Sequence, residues 1–162
     1  MPSGLKRYQH SRQTHFATFS CYHRHSLFTA DDPKQVFELA MERVRRGFDL
    51  QVFGYAVMPE HIHLLLGEPK RGILADALTS LKQGVARRLI GSAEHFWQKR
   101  YYDFNVRDYE QFAEKLRYIH RNPVKRGLCE RPEDWEWSGF GHYATGAEGP
   151  RIEPRCCAGR PA

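Results

Sequence analysis

The stretch LQVFGYAVMPEHIHLLL at residues 50–66 encodes two strands joined by a tight connection at residues 58–60. Its second half alternates, with His61 and His63 on either side of Ile62. Successive side chains of a strand point to opposite faces, so the two imidazoles share one face and Ile62 points into the core. Two imidazoles placed in this way can bind a single metal ion.

Further strands and helices are predicted before and after this pair of strands in the sequence. Residues 15–22 (HFATFSCY) alternate aromatic and small polar side chains, which indicates an earlier strand. A helix follows, with Asp32 as its predicted N-cap and Gly47 at its end. A second helix begins at Gly72, and a fourth strand is expected near residues 100–104. The order β-α-β-β-α-β is that of the ferredoxin-like α+β fold, an antiparallel sheet with two helices on one face.

A third helix is expected to cover the other face of the sheet, the one that carries the histidines. Asp108 and Gln111 form a capping box at its start. Its apolar stripe consists of Tyr109, Phe112, Leu116 and Ile119. The third strand is central in the ferredoxin-like order, so Ile62 would pack under the first two helices and the histidines would face the third. The sequence therefore predicts a ferredoxin-like sheet with an added C-terminal helix.

One tyrosine of this helix lies off the apolar stripe. At about 100° per residue, Tyr118 falls on the same flank of the helix as Lys115 and Asn122. A tyrosine that only packs would more often lie on the stripe. Because a residue before proline tends to leave the α region, Asn122 is predicted to end the helix and to cap a short one at residues 123–126. Its carbonyl oxygen could then be a third metal ligand beside Tyr118.

These groups suit the breakage of a phosphodiester by covalent attack. Two neutral imidazoles and an amide oxygen would leave open positions on Mg²⁺ or Mn²⁺ for phosphate oxygens. The ion would draw charge from the phosphate and favour departure of the 3′ oxygen. Tyr118 would be the nucleophile, and the resulting 5′-phosphotyrosine would keep the bond energy for joining a second strand.

The composition fits one domain that acts on nucleic acid. The chain has 162 residues, 41% of them hydrophobic, and we treat it as one domain with a basic arm at residues 1–13, a core at 14–145 and a tail at 146–162. A net charge of +6 and a pI of about 9.3 favour a phosphate-rich partner. Cysteines without CxxC spacing indicate reduced thiols. The lack of a secretion signal or of a membrane-length apolar run predicts a cytoplasmic protein.

Two stretches resemble motifs of a known family. Residues 55–66 (YAVMPEHIHLLL) resemble the HUH motif of the single-tyrosine insertion-sequence transposases. Residues 115–128 (KLRYIHRNPVKRGL) resemble the catalytic helix of the branch called REP-associated tyrosine transposases. The similarity includes residues 96–98, 102–106 and 135–140, where Gly139 stands at a position at which the family more often has a second serine.

The resemblance implies a transposase that cleaves and rejoins single-stranded DNA near short palindromic hairpins, as a monomer or a homodimer. It also implies that His61, His63 and Tyr118 are catalytic and that Asn122 completes the metal site. In the family, the N-terminal arm helps to recognise a short sequence beside the hairpin. The candidate DNA-contacting residues are Lys6, Arg7 and Tyr8 of this arm and Lys115 of the third helix.

Simpler interpretations apply to several other charged and aromatic residues. Arg24 separates His23 from His25 and cannot anchor a strand in a core, so this pair is expected to be exposed or to contact phosphate rather than to bind a metal. Three cations, Lys82, Arg87 and Arg88, are expected to form a solvated face of the second helix. The three tryptophans are expected to pack in or at the edge of the core.

Two other functions remain open on the sequence. The first is a domesticated hairpin-DNA-binding protein without cleavage activity, although such a protein would be free to lose His61, His63 and Tyr118. The second is a metal-dependent hydrolase with a water nucleophile. Hydrolases of this kind usually recruit several carboxylates, and the sequence shows no cluster of acids placed around the histidines.

Overall fold

The computed structural model describes residues 14–90 and 95–140, which form a four-stranded antiparallel sheet and three α-helices. The strands are β1 (Thr14–Ser20), β2 (Val52–Val57), β3 (His61–Gly67) and β4 (Tyr102–Val106), in the spatial order β2-β3-β1-β4. The helices are α1 (Asp31–Gly47), α2 (Leu74–Ile90) and α3 (Tyr109–Lys125). The ferredoxin-like fold with an added helix is confirmed. The arm with Lys6, Arg7 and Tyr8, and the tail at residues 146–162, lie outside the described residues.

The two faces of the sheet carry two separate apolar clusters. Ile62 and Leu64 of β3 belong to the larger cluster, which α1 and α2 cover with Phe37 and Leu78 among others. Leu65 belongs to the smaller cluster under α3. The other members of that smaller cluster include Phe16, Phe53, Phe112 and Ile119. The predicted alternation along β3 is therefore correct, and the third helix covers the face that the histidines share.

Helix α3 approaches β2 closely at Gly54. A Cβ atom added to Gly54 would stand 2.6 Å from Cδ1 of Leu116, well inside van der Waals contact. The strand also has an irregular register between Val52 and Gly54. The absence of a side chain at this position allows Leu116 to pack directly against the strand. This contact, two residues before Tyr118, allows a short distance between α3 and the sheet.

Several predicted helix and strand starts are wrong by a residue or two. Helix α2 begins at Leu74 rather than at Gly72, and β2 begins at Val52 rather than at Leu50. Helix α1 begins at Asp31 with Ala30 as its N-cap, so Asp32 is not the cap. Asp31 and Asp32 both lie in the first turn, where carboxylates favour the positive end of the helix dipole. Strand β4 starts at Tyr102 because its pairing with β1 ends at the Thr18–Tyr102 pair. None of the helices in the described ranges is long and apolar enough to cross a membrane.

The predicted break of the third helix at Asn122 is wrong. Helix α3 continues through Pro123 to Lys125, since proline removes only one helical N–H and the helix ends within the next turn. Gly127, at φ +73°, donates its N–H to the carbonyl of Val124 at 2.9 Å, and Leu128 donates to Pro123 at 2.9 Å. These two bonds are a Schellman motif. Asn122 is therefore an interior helical residue.

Some side chains of the helices also depart from the prediction. Tyr109 is exposed, so the buried stripe of α3 starts at Phe112. Lys82 is not part of a solvated face, because its Nζ donates to the carbonyl of Gln98 at 3.2 Å. Arg87 and Arg88 are exposed as expected. The tryptophans pack as predicted: Trp97 is buried in the larger cluster, Trp137 packs against it, and Trp135 Nε1 donates to the carbonyl of Val57.

A buried ionic cluster closes the sheet at the start of β1. His15 is 1% exposed and places Nδ1 3.0 Å from Asp103 Oδ1 and Nε2 2.9 Å from Glu68 Oε1. Burial lowers the pKa of His15, but its contacts with the carboxylates of Asp103 and Glu68 outweigh that effect and raise the pKa overall. The charged imidazole therefore stabilises the fold below the ordinary pKa of about 6.5, and this contribution is lost as the pH rises through the folded-state value.

We expect His15→Gln to lower the free energy of unfolding by about 3 kcal/mol near pH ~6, because two buried carboxylates lose their cation. The loss should be smaller near pH ~9, where the wild-type imidazole has lost more of its charge. Urea unfolding at both pH values measures the difference. His25→Gln, at an exposed histidine, is the control and should change little at either pH. An equal loss at both pH values would show that His15 acts only through packing.

Candidate active site

The two histidines of β3 face one another in the interior of the protein. His61 is 4% exposed and His63 is 3% exposed. Their Nε2 atoms lie 2.9 Å apart, and their ring planes are inclined at 77°. The spacing of the pair on one strand thus produces two converging nitrogen atoms, as the sequence predicts.

The other nitrogen of each ring is held by a neighbouring polar group. His61 Nδ1 lies 2.9 Å from Glu60 Oε1, and His63 Nδ1 lies 2.8 Å from Thr18 Oγ1 on β1. A carboxylate that accepts from Nδ1–H fixes the tautomer in which Nε2 carries the free lone pair. The contacts of Glu60 and Thr18 therefore orient both rings with Nε2 toward a shared point.

Both imidazoles are neutral at physiological pH. Burial lowers the pKa of His61, and the adjacent Glu60 only partly opposes this effect. Burial lowers the pKa of His63 to about 3, helped by the nearby His61 and opposed by the Asn122 side chain. Neutral imidazole is the form that donates a lone pair to a metal ion.

Tyr118 lies beside the pair and remains open to solvent. Its ring centroid is 5.3 Å from that of His63 and 5.9 Å from that of Phe16, both in edge-on contacts. His63 in turn stacks on Phe16 at 5.7 Å. The side chain of Tyr118 is 43% exposed. The structure thus brings together a buried histidine pair and a solvent-accessible tyrosine.

Asn122 is buried on the same flank of α3 and has an unused acceptor. The residue is 6% exposed, and its Oδ1 has no hydrogen-bond partner among residues 14–90 and 95–140. Buried polar atoms are rarely left unpaired, so this oxygen is available to accept a hydrogen bond or to bind an ion. The amide is close enough to His63 to influence the pKa of that ring. An oxygen so placed is a suitable third ligand.

Within the described parts of the chain, no group of three histidine, cysteine, aspartate or glutamate side chains could hold a metal ion. A metal on His61 and His63 would thus need a donor of another kind, and the amide of Asn122 is one. Ligands at about 2.1 Å in neighbouring octahedral positions stand about 3 Å apart, which matches the spacing of the two Nε2 atoms. The spacing of the two nitrogen atoms therefore fits neighbouring ligands of one divalent metal ion.

Sequence reasoning missed one acid and one arginine at this site. Glu60 Oε1 accepts from Arg126 Nη2 at 2.5 Å as well as contacting His61, so it links the strand to the end of α3. Burial raises the pKa of Glu60, but its contacts with His61 and Arg126 outweigh burial and lower it. The alternation rule could not place Glu60 because it lies in the connection before β3. Its position next to His61 was the only available signal.

Arg24 is a second cation near this carboxylate. Its Nη2 lies 3.6 Å from Glu60 Oε1, and both His23 (φ +50°) and Arg24 (φ +58°) adopt the left-handed region. Consecutive non-glycine residues in that region are strained and are enriched at functional sites. His23 and His25 are exposed, as predicted, and only Arg24 turns toward the histidine pair.

Lys115 lies next to the site but is engaged with aromatic rings. Its Nζ is 5.2 Å from the ring centroid of Phe16 and 4.6 Å from that of Phe104. His120 lies away from Tyr118 and packs edge-on against Phe140. Burial lowers the pKa of His120 to about 4. The structure thus places Lys115 beside Phe16, the ring that Tyr118 also contacts.

The sequence of this chain matches a known protein family. Residues 8–122 match the family described as IS200-like transposase. This range contains both histidines of β3, Tyr118 and Asn122. It covers more than half of the chain.

Individual relatives carry a more specific description. A Haemophilus influenzae protein named as a REP-associated tyrosine transposase is 30% identical over 138 residues, covering 77% of this chain and 76% of the relative. The REP-associated tyrosine transposase of Escherichia coli K12 is 25% identical over 140 residues, covering 85% and 82%. A solved structure of such a transposase bound to a REP hairpin superposes with a TM-score of 0.77 at 24% identity, covering 94% and 92%. That structure shows the shared fold.

The link between Glu60 and Arg126 is expected to contribute to stability. Glu60→Ala and Arg126→Ala should show a coupling energy of about 1 kcal/mol in a double-mutant cycle, because the two side chains are in contact and Glu60 is nearly buried. Urea unfolding of the four proteins measures it. The matched control is the exposed pair Arg131 and Asp134, whose coupling should be much smaller. A coupling near zero for Glu60 and Arg126 would contradict a structural link between strand and helix.

Proposed function

Because this chain belongs to the IS200-like transposases, and within them to the REP-associated tyrosine transposases, we propose that it cleaves and rejoins single-stranded DNA beside short palindromic hairpins. The observation that carries the proposal is the position of the exposed Tyr118 ring, 5.3 Å from the ring of the buried His63. The REP hairpin bound by the solved relative supports a hairpin partner for this chain as well. Lys6, Arg7 and Tyr8 of the arm, and Lys115, are proposed DNA contacts.

The chemical step transfers the scissile phosphate from the 3′ oxygen of one DNA strand to the hydroxyl oxygen of Tyr118. Oη of Tyr118 forms a bond to phosphorus while the bond from phosphorus to the 3′ oxygen breaks. The phenol gives up its proton, and the departing 3′ oxygen takes one, so the step is balanced. The strand that begins with the 5′ phosphate stays on Tyr118. Attack by the 3′ hydroxyl of another strand reverses the step and releases the tyrosine.

His61, His63 and Asn122 would hold Mg²⁺ or Mn²⁺ through two Nε2 atoms and one amide oxygen. The ion would polarise the scissile phosphate and stabilise the charge that develops on the 3′ oxygen. Glu60 and Thr18 fix the ring orientations, while burial keeps both rings neutral. The edge-on contact with His63 and Phe16 holds the Tyr118 ring at the opening of the site.

The two alternative functions predict different products from the same experiment. A labelled, single-stranded REP hairpin with unpaired flanks is incubated with the protein and Mg²⁺. A covalent protein–DNA adduct supports the transposase. Free fragments without an adduct would indicate a hydrolase, and a mobility shift without cleavage would indicate a binding protein. The position of Tyr118 beside His63 favours the first outcome over attack by water.

Tyr118→Phe should reduce formation of the covalent adduct by about a thousandfold or more, because the only atom removed is the nucleophilic oxygen. Affinity for the uncut hairpin should stay close to that of the wild type, since the ring remains. Gel electrophoresis of denatured adducts and equilibrium binding measure the two quantities. Tyr109→Phe is the matched control, an equally exposed tyrosine on the same helix (50% against 43%), and should keep full activity. Cleavage by the Tyr118 variant would assign the nucleophile elsewhere.

The metal site is tested by binding of Mn²⁺ to the full-length protein without DNA. His63→Ala should weaken binding by at least about tenfold because a ligand is lost, and Asn122→Ala should weaken it as well. His120→Ala is the control, because His120 is also a buried neutral histidine of this region but faces Phe140. Circular dichroism confirms that each variant is folded. Equal Mn²⁺ affinity in all four proteins would show that the ion binds elsewhere.

A further inference from the structure

A groove of about 610 Å³ opens beside Tyr118 on the outer side of α3. Arg117, Arg121 and Lys125 line it, one on each successive turn of the helix. Residues four apart lie on one face, and each step of four advances about 6 Å along the axis. The three side chains therefore form a cationic row that begins next to the nucleophile.

The rest of the groove wall is mainly apolar. The ring of Tyr118, the side chain of Val124 and the ring of Pro132 line it, the last from the short 3-10 turn Pro132–Asp134. Glu114 is the one acidic group among its lining residues. Apolar and aromatic walls beside a row of cations match a nucleotide strand, whose bases pack on apolar groups and whose phosphates need positive partners.

The cations of this row are not engaged by acids. Arg121 and Lys125 form no ion pair with any residue in the ranges 14–90 and 95–140, and Arg117 only donates from Nε to the carbonyl of Ala113 on its own helix, at 3.4 Å. On α1, by contrast, Arg45 and Arg46 are both paired with Glu42. A row of cations left unpaired next to a reactive tyrosine provides a phosphate-binding surface.

We propose that this groove binds the single strand on the 3′ side of the scissile phosphate, the strand that becomes joined to Tyr118. The inference rests on the proposed function, since it assigns one of the two product strands to a surface. His63 and Phe16 pack against one side of the Tyr118 ring, whereas the groove is open beside it. The attached strand can therefore leave the site along α3, and the row of cations would hold it until rejoining.

The test pairs the removal of cations with the removal of phosphate charge. The protein is full length and carries Tyr118→Phe so that the DNA stays intact. The probe is the single-stranded REP hairpin, and the position of its scissile phosphate is first determined by cleavage with the wild-type protein. Three phosphates on the 3′ side of that position are replaced by neutral methylphosphonates, and in a second probe three on the 5′ side. Arg121→Gln with Lys125→Gln is compared with Arg87→Gln with Arg88→Gln, two exposed arginines of α2 on the opposite face of the sheet.

The Arg121 and Lys125 variant should bind the unmodified probe about tenfold more weakly, and the slope of log affinity against log salt should fall by about 1.4. This variant should lose almost no further affinity when the 3′ phosphates are neutral. When the 5′ phosphates are neutral, it should lose as much affinity as the protein that keeps Arg121 and Lys125. The inference alone would be overturned if the losses of affinity from the Arg121 and Lys125 substitutions and from the neutral 3′ phosphates were additive. An equal loss of affinity in the Arg87 and Arg88 variant would overturn it as well. Failure of the wild-type protein to cut any probe would overturn the proposed function and the inference with it.

Discussion

The two-residue period of β3 in the middle of the sheet is the constraint on which the rest of the molecule depends. Because both faces of an interior strand are covered, every second side chain must suit one of two different environments. Ile62 and Leu64 satisfy the cluster under α1 and α2, so the histidines between them are directed toward α3. Two polar rings in that position would be costly unless their nitrogen atoms had partners. Glu60 and Thr18 supply partners for the two Nδ1 atoms, and the two Nε2 atoms face one another at 2.9 Å.

The site is therefore assembled from two elements that do not neighbour one another in sequence. Strand β3 supplies the histidine pair, and α3 supplies Tyr118 and Asn122. Three contacts fix the helix relative to the sheet: the cluster that includes Phe112 and Ile119, the packing of Leu116 at Gly54, and the bond between Arg126 and Glu60. The last of these ties the end of the helix to the carboxylate that orients His61. Glu60 therefore both anchors the end of the helix that carries Tyr118 and orients the ring of His61.

Much of the fold could be predicted from sequence because it follows from periodicity. The alternation around Ile62 predicted the faces of β3, and the order of elements predicted the sheet. The family, which the comparisons confirm, was predicted from the resemblance of residues 55–66 and 115–128 to known motifs. Tyr118 could be singled out because it departs from the stripe that includes Phe112 and Ile119. The proximity of Tyr118 to the histidines followed from the fold rather than from any local signal.

The errors fall where local rules compete with tertiary contacts. Pro123 was expected to end the helix, but a Schellman motif at Gly127 completes it one turn later. The role of Glu60 could not be predicted, because the connection before β3 has no repeating pattern of side chains from which the direction of the carboxylate could be inferred. Lys82 was placed in solvent by its helical angle, yet its long stem lets the charge reach the carbonyl of Gln98.

The missing side chain at Gly54 has a consequence for how the position of Tyr118 can be disturbed. A methyl group at that position would stand 2.6 Å from Cδ1 of Leu116, so either the Leu116 side chain would change its rotamer or α3 would move away from β2. A movement of α3 would carry Tyr118 with it, while both histidines stayed in place on their own strand. Such a protein would keep His61, His63 and Tyr118 and would still hold the tyrosine at a different distance from the histidines. A comparison of sequences at these three positions alone would not detect the change.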